Sequence, residues 1–229
     1  MINIDRVYQK VLAITNKEQR GYITPQEFNL FANKAQLEIF DGYFYDFKTA
    51  YHKPKTNMTF GDEMDILAEK IQPFKRDVTF ELEGESLITL PGNLYLIDTL
   101  TKAEGKVVEM SENDILYTEN NPLTRATLNR SVYVRRINGA IQVYPTPSVN
   151  TSYTLNYYKK PYPPKWSYVV VNGRALYNQN LSVNFELHAS EEEMLVTRIL
   201  MMAGVTIQKP QLVQQAAQEG AGLIASKND

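Results

Sequence analysis

Residues 131–144 read SVYVRRINGAIQVY, two alternating runs around Asn138-Gly139. An Asn-Gly pair supplies two residues that tolerate positive φ, which the type I′ turn of a tight hairpin requires. A two-residue turn sets Ile137 opposite Ala140, Val134 opposite Val143 and Tyr133 opposite Tyr144. In that register Val132, Val134, Ile141 and Val143 form an apolar face. Tyr133, Tyr144, Arg135 and Gln142 form the other, facing solvent or a partner. Arg136 snorkels from the apolar side near the tip.

The period-two pattern extends outward from this hairpin. Val78, Phe80 and Leu82 alternate with Thr79 and Glu81, and 86–90, 94–100 and 152–159 read as further strands. Pro161, Pro163 and Pro164 end the last of these. Asn172-Gly173 is a second hairpin turn, joining 168–171 to 174–177, and Ser111 with Asp114 caps a short helix to Tyr117.

Both ends of the chain read as helix. Residues 5–14 carry Val7, Val11 and Ile14 at helical spacing. Thr24, Pro25 and Glu27 spell an N-cap, a first-turn proline and a capping box. Phe28, Phe31, Ala32, Ala35 and Ile39 follow, and Asp41-Gly42 ends or bends that helix. A third helix covers 63–71. Near the other end Ser190 and Glu193 make a second capping box, with Glu191, Glu192 and Glu193 where the helix dipole favours acids. Residues 194–203 are apolar nearly all round, which predicts an enclosed helix: a core helix, or one shared with an adjacent copy. A weaker helix covers 211–225. The fold class is therefore α+β, with N- and C-terminal helices forming a bundle around or beside a central antiparallel β module. The expected parts are 1–72, 73–185 and 186–229.

Charge is unevenly distributed. From Asn120 to Phe185, 66 residues contain no acid and eight bases: Arg125, Arg130, Arg135, Arg136, Lys159, Lys160, Lys165 and Arg174. The rest of the chain carries 16 bases and 26 acids, so a net charge of −2 hides +8 against −10. Such polarity suits head-to-tail association or docking on an anionic partner. Eight dispersed bases and a pI near 5.8 are thin for free DNA binding.

The chemistry of an enzyme is not legible. There is no Cys, hence no disulfide, thiolate site or cysteine nucleophile. His52 and His188 are far apart and read as surface or interface residues. Asn16–Glu27 mimics a calcium loop, but Arg20 stands where a ligand belongs. No Gly-rich phosphate loop or nucleophile elbow occurs. The expectation is no cofactor, no metal and no catalysis. Neither a signal peptide nor a long apolar span is read, so the chain is expected to be made and assembled in a cytoplasm, with no membrane partner.

Three stretches carry a resemblance: GYITPQEFNLFANKAQLEIFDGYFYDF (21–47), VYVRRINGAIQVYPTPSVNTSYTLNYYKKPYPPKW (132–166) and FELHASEEEMLVTRILMMAGV (185–205). Together they resemble head–tail connector ring proteins of tailed bacteriophages, especially crAss-like phages. The helix–β–helix order is similar to the tail tubular A adaptors of short-tailed phages. The pairing of Val143-Tyr144-Pro145-Thr146-Pro147 with Tyr157-Tyr158-Lys159-Lys160-Pro161 is its most specific part. The resemblance implies a structural virion protein forming a homo-oligomeric ring, of about twelve copies, between portal protein and tail. Genomic DNA would pass through its lumen without sequence-specific binding. The large β module is expected to grip the next ring or a tail protein.

The residues expected to make inter-subunit or ring–ring contacts are Arg135, Arg136, Lys159, Lys160, Arg174, Tyr133 and Tyr144. Portal docking falls to Gln211, Leu212, Leu223 and Ile224, in a tail that orders on contact. The alternatives are a receptor-side tail component, which would form trimers, and a small-ligand module or accessory enzyme. The last two would show an enclosed polar pocket with a pKa-shifted carboxylate or a histidine.

Overall fold

The computed structural model describes residues 1–17, 23–52, 59–103, 105–136 and 138–206. Its elements are α1 (Ile4–Lys17), α2 (Pro25–His52), α3 (Thr59–Ile71), β1 (Lys75–Leu82), β2 (Leu87–Thr89), β3 (Leu94–Lys102), β4 (Gly105–Glu109) and α4 (Glu112–Glu119). There follow β5 (Val132–Arg136), β6 (Ala140–Tyr144), β7 (Thr151–Lys159), β8 (Tyr168–Val171), β9 (Arg174–Tyr177) and α5 (Glu192–Thr206). The α+β class holds. The described residues form two compact units, one from 1–73 with 161–206, the other Phe74–Lys160. Residues 161–185, read from sequence as part of the β module, cluster with the helices instead.

In the helical unit α5 packs on α1 and α2. Leu195, Val196, Ile199, Leu200 and Ala203 are buried, so the all-round apolar helix is enclosed. The Thr24 capping box forms as read: Glu27 accepts from the Thr24 amide at 2.9 Å and hydroxyl at 2.8 Å, and the Glu27 amide donates back at 3.3 Å. α2 does not end at Gly42. Ile39, Phe40 and Tyr43 are all buried, and burying that helical stripe outweighs the weak local preference of Asp-Gly. A Cβ on Gly42 would meet nothing within 4 Å. Gly42→Ala is therefore expected to stabilise the protein by about 1 kcal/mol, by restricting the unfolded chain and favouring helix. Urea denaturation measures it, and a loss of stability would contradict this view of α2.

The same helix clamps extended chain with amide side chains. Asn29 donates to the Trp166 carbonyl at 3.1 Å and accepts from its amide at 2.7 Å. Two turns on, fully buried Gln36 donates to the Tyr162 carbonyl at 2.8 Å and accepts from the Glu186 amide at 3.1 Å. Each thus satisfies backbone groups that have no strand neighbour there. Ile2 bridges Phe185, which anchors the start of the chain. The second Asn-Gly turn behaves as read. Asn172 and Gly173 have φ of 50° and 73°, and Tyr168 pairs with Tyr177 and Val171 with Arg174.

The β unit is a seven-stranded sheet in the order β1-β7-β3-β4-β5-β6-β2. One pair breaks the expected antiparallel pattern: β4 and β5 run parallel, with α4 in the connection between them. Ser111 caps α4 by accepting from the Asp114 amide, as read. One core takes residues from all seven strands, including Leu82, Ile88, Leu100, Val107, Tyr133, Ile141, Val143, Tyr153 and Leu155. A smaller one gathers Ile115, Ala126, Val132 and Val134, with Met110 and Tyr144 against it.

Those two cores explain the main correction to the sequence reading. β5 pairs with β6 as Val132↔Tyr144, Tyr133↔Val143, Val134↔Gln142 and Arg136↔Ala140, one residue away from the expected register. Asn138 and Gly139 do take positive φ, 73° and 66°, and the expected Ile137 pairing lies outside the described residues. A one-residue slip exchanges faces. Tyr133 thus shares the main core with Ile141 and Val143, and Val132 and Val134 share the smaller one with Tyr144. Both faces of the hairpin are covered, so alternation alone did not fix which residues lie opposite.

Candidate functional site

The expected contact residues divide into those engaged inside the β unit and those at its surface or beyond. Tyr133, expected to face solvent or a partner, is only 4% exposed. Its hydroxyl donates to Glu109 at 3.0 Å, and Arg135 grips the same carboxylate through Nε at 2.6 Å and a terminal nitrogen at 3.0 Å. Burial acts to raise the Glu109 carboxyl, but the bonds from Arg135 and Tyr133 outweigh it and hold it below the ordinary value. Burial, then the adjacent Glu109, pushes the Tyr133 phenol up to about 12.

Arg136, Tyr144 and Gln142 gather on the opposite face. Arg136 donates to the Tyr144 hydroxyl at 2.7 Å, to Gln142 at 2.9 Å and to Glu112 at the start of α4. Lys159 is buried at the end of β7, while Lys160 and Arg174 are exposed. Arg135 and Arg136 lie on opposite sides of β5, each with an acid. Gln211, Leu212, Leu223 and Ile224 lie outside the described residues.

Sequence reasoning assigned the acids at the start of α5 to the helix dipole, and Glu193 also to a capping box with Ser190. They also tie α5 to the earlier helices. Buried Glu191 meets Lys70 of α3 at 2.7 Å. Glu192 takes Arg6 at 2.5 Å and Lys10 at 2.7 Å from α1, and Glu193 takes Lys10 at 2.5 Å. Because Glu193 points to Lys10, it does not close a box with Ser190. The cap is His188, whose Nδ1 accepts from the Ser190 amide at 3.3 Å and begins a short 3-10 turn into α5.

Burial acts to raise Glu192, and the bonds from Lys10 and Arg6 overcome it, so this carboxyl is also held low. A carboxyl with a lowered native pKa stabilises the fold above its unfolded value, about 4.3, and loses that contribution as pH falls through the native value. Glu192→Gln is expected to cost about 1–2 kcal/mol at pH 7 and progressively less as pH falls below about 4.3. Urea midpoints across that range test it, and a pH-independent difference would contradict the assignment.

Among the described residues no three of His, Cys, Asp and Glu are grouped as metal ligands. In the calcium-loop mimic, the Glu27 carboxylate is occupied by Thr24, and residues 18–22 lie outside the described set. No protein-family model matches the chain, and no curated protein matches it. No helix among the described residues is long and apolar enough to cross a membrane.

What the sequence did not disclose is where large apolar side chains stay at the surface. Val169, Val170, Val171 and Leu176 are exposed on β8–β9, and Leu116, Tyr117 and Leu123 on or just after α4. A run of three valines has no period to show which faces are covered. Aliphatic groups clustered at a surface fit contact with another chain better than capture of a polar small molecule.

Proposed function

We propose that the chain is a structural virion protein forming a homo-oligomeric ring in the head-to-tail connector of a tailed phage. It joins portal to tail, leaves a channel for DNA and transforms no substrate. The observation that carries the reading is the set of exposed apolar side chains on β8–β9 and on or just after α4, surface that suits protein partners. The phage assignment is supported by the resemblance over 21–47, 132–166 and 185–205.

In this reading the partners are other copies of the chain, the portal and the next tail component. Arg135, Lys160 and Arg174 are the expected basic contacts that stand exposed, Arg135 already bonded to Glu109. Gln211, Leu212, Leu223 and Ile224 are assigned to the portal, and truncation after Gln208 is expected to abolish portal binding. The experiment is quantitative mass spectrometry of purified particles with antibody labelling. About twelve copies per particle, labelled at the tail vertex, is the expected result. Absence from particles, or label spread over the capsid, would refute the reading.

A further inference from the structure

Two oppositely charged stretches carry open strand edges. Residues 161–185 hold Lys165 and Arg174 and no acid. Residues 77–101 hold Asp77, Glu81, Glu83, Glu85 and Asp98 and no base. Lys75 pairs with Asp98 at 2.9 Å. Glu81, Glu83 and Glu85 stand exposed where β1 passes to β2, beside Leu87, which is 52% exposed. β2 is the last strand of its sheet among the described residues, so one edge of it is open.

Among the described residues the β8–β9 ribbon has two such edges. Its faces differ. Tyr168 and Tyr177 lie opposite each other and stack on Trp166 at 5.7 Å each, which holds that side. On the other side Val169 lies opposite Leu176 and Val171 opposite Arg174, and all four are exposed. A two-stranded ribbon is marginal in water, and an open aliphatic edge is a template for further pairing.

We propose that the β8–β9 hairpin of one copy seats on the β1–β2 turn and the β2 edge of a second copy. Arg174 then lies among Glu81, Glu83 and Glu85, while Val169, Val171 and Leu176 cover Leu87. The two surfaces differ, so the contact is head-to-tail, the kind that closes into rings. The inference rests on the ring reading and names the contact that builds it.

The test follows assembly of the full chain by mass photometry and sedimentation. Arg174→Glu, and separately Glu83→Lys with Glu85→Lys, each place like charges together and are expected to weaken association about tenfold or more. Mixing the two variants restores opposite charges at every contact and is expected to restore assembly. Leu176→Asp, an exposed site, is expected to weaken association without moving Trp166 fluorescence or thermal unfolding. Loss in both charge variants without rescue on mixing overturns the pairing. Wild-type assembly by Arg174→Glu and Leu176→Asp overturns the hairpin's part and leaves the ring standing. A wild-type chain that stays monomeric to about millimolar, alone and with particle components, overturns both.

Discussion

Trp166→Ala is expected to remove about 3–5 kcal/mol of stability, a large share of what a domain of this size possesses. Trp166 is the only tryptophan and is 2% exposed. Its indole N–H donates to Asp5 of α1 at 2.9 Å. Its ring meets Tyr8 at 4.4 Å and both tyrosines of the β8–β9 ribbon at 5.7 Å. One side chain therefore joins α1 to the ribbon, while Asn29 of α2 binds its backbone. Truncation leaves a cavity at that junction and strips the ribbon of its stacking partner. Trp166→Phe is expected to recover most of the loss, because an aromatic ring remains and what goes is the bond to Asp5 and part of the indole's bulk. Urea denaturation followed by far-UV circular dichroism measures both variants. A loss under about 1 kcal/mol for the alanine variant would show that the junction closes without the indole.

Lys70→Met is the second large effect, again about 3–5 kcal/mol. The residue paired with Lys70, Glu191, is 1% exposed. Removing the cation takes from a buried carboxylate the charge that Lys70 sets against it. The double variant Lys70→Met with Glu191→Leu is expected to be markedly more stable than Lys70→Met alone, because both charges are then gone. Close by, the Tyr43 phenol is raised, first by burial and then by the charge of Glu191. Additive losses in the double variant would contradict a direct pair.

Features governed by a few neighbouring residues were readable from sequence. The Thr24–Glu27 box, the Ser111 cap on α4, the tight turn at Asn172-Gly173 and the enclosed helix α5 each follow from adjacent side chains or a single period. Features decided by what packs overhead were not. The register of β5 on β6 depends on two cores that bury both faces, so the apolar stripe misplaced Tyr133. The parallel pairing of β4 with β5 depends on the path of the α4 connection. Gln36 and Asn29 look like ordinary polar positions on α2, and only the extended segments at 162, 166 and 186 reveal them as clamps. The Ser190 box fails because Lys10, some 180 residues away, takes the Glu193 carboxylate.

The candidate contacts shifted for the same reason. Arg135 and Arg136 look like surface cations until Glu109 and Glu112 are brought to them. Arg174 remains a surface cation because the ribbon that carries it projects one open face. The acid-free block was visible in the sequence; which of its bases are already matched within the chain was not.

The most direct test of self-association is the native mass of the purified full chain over a concentration series. Assembly into a closed species of about 310 kDa, near twelve copies of the 26.2 kDa chain, is the expected result, with weaker assembly as salt rises. A 26.2 kDa monomer at every concentration, unchanged when portal protein is added, would contradict the account.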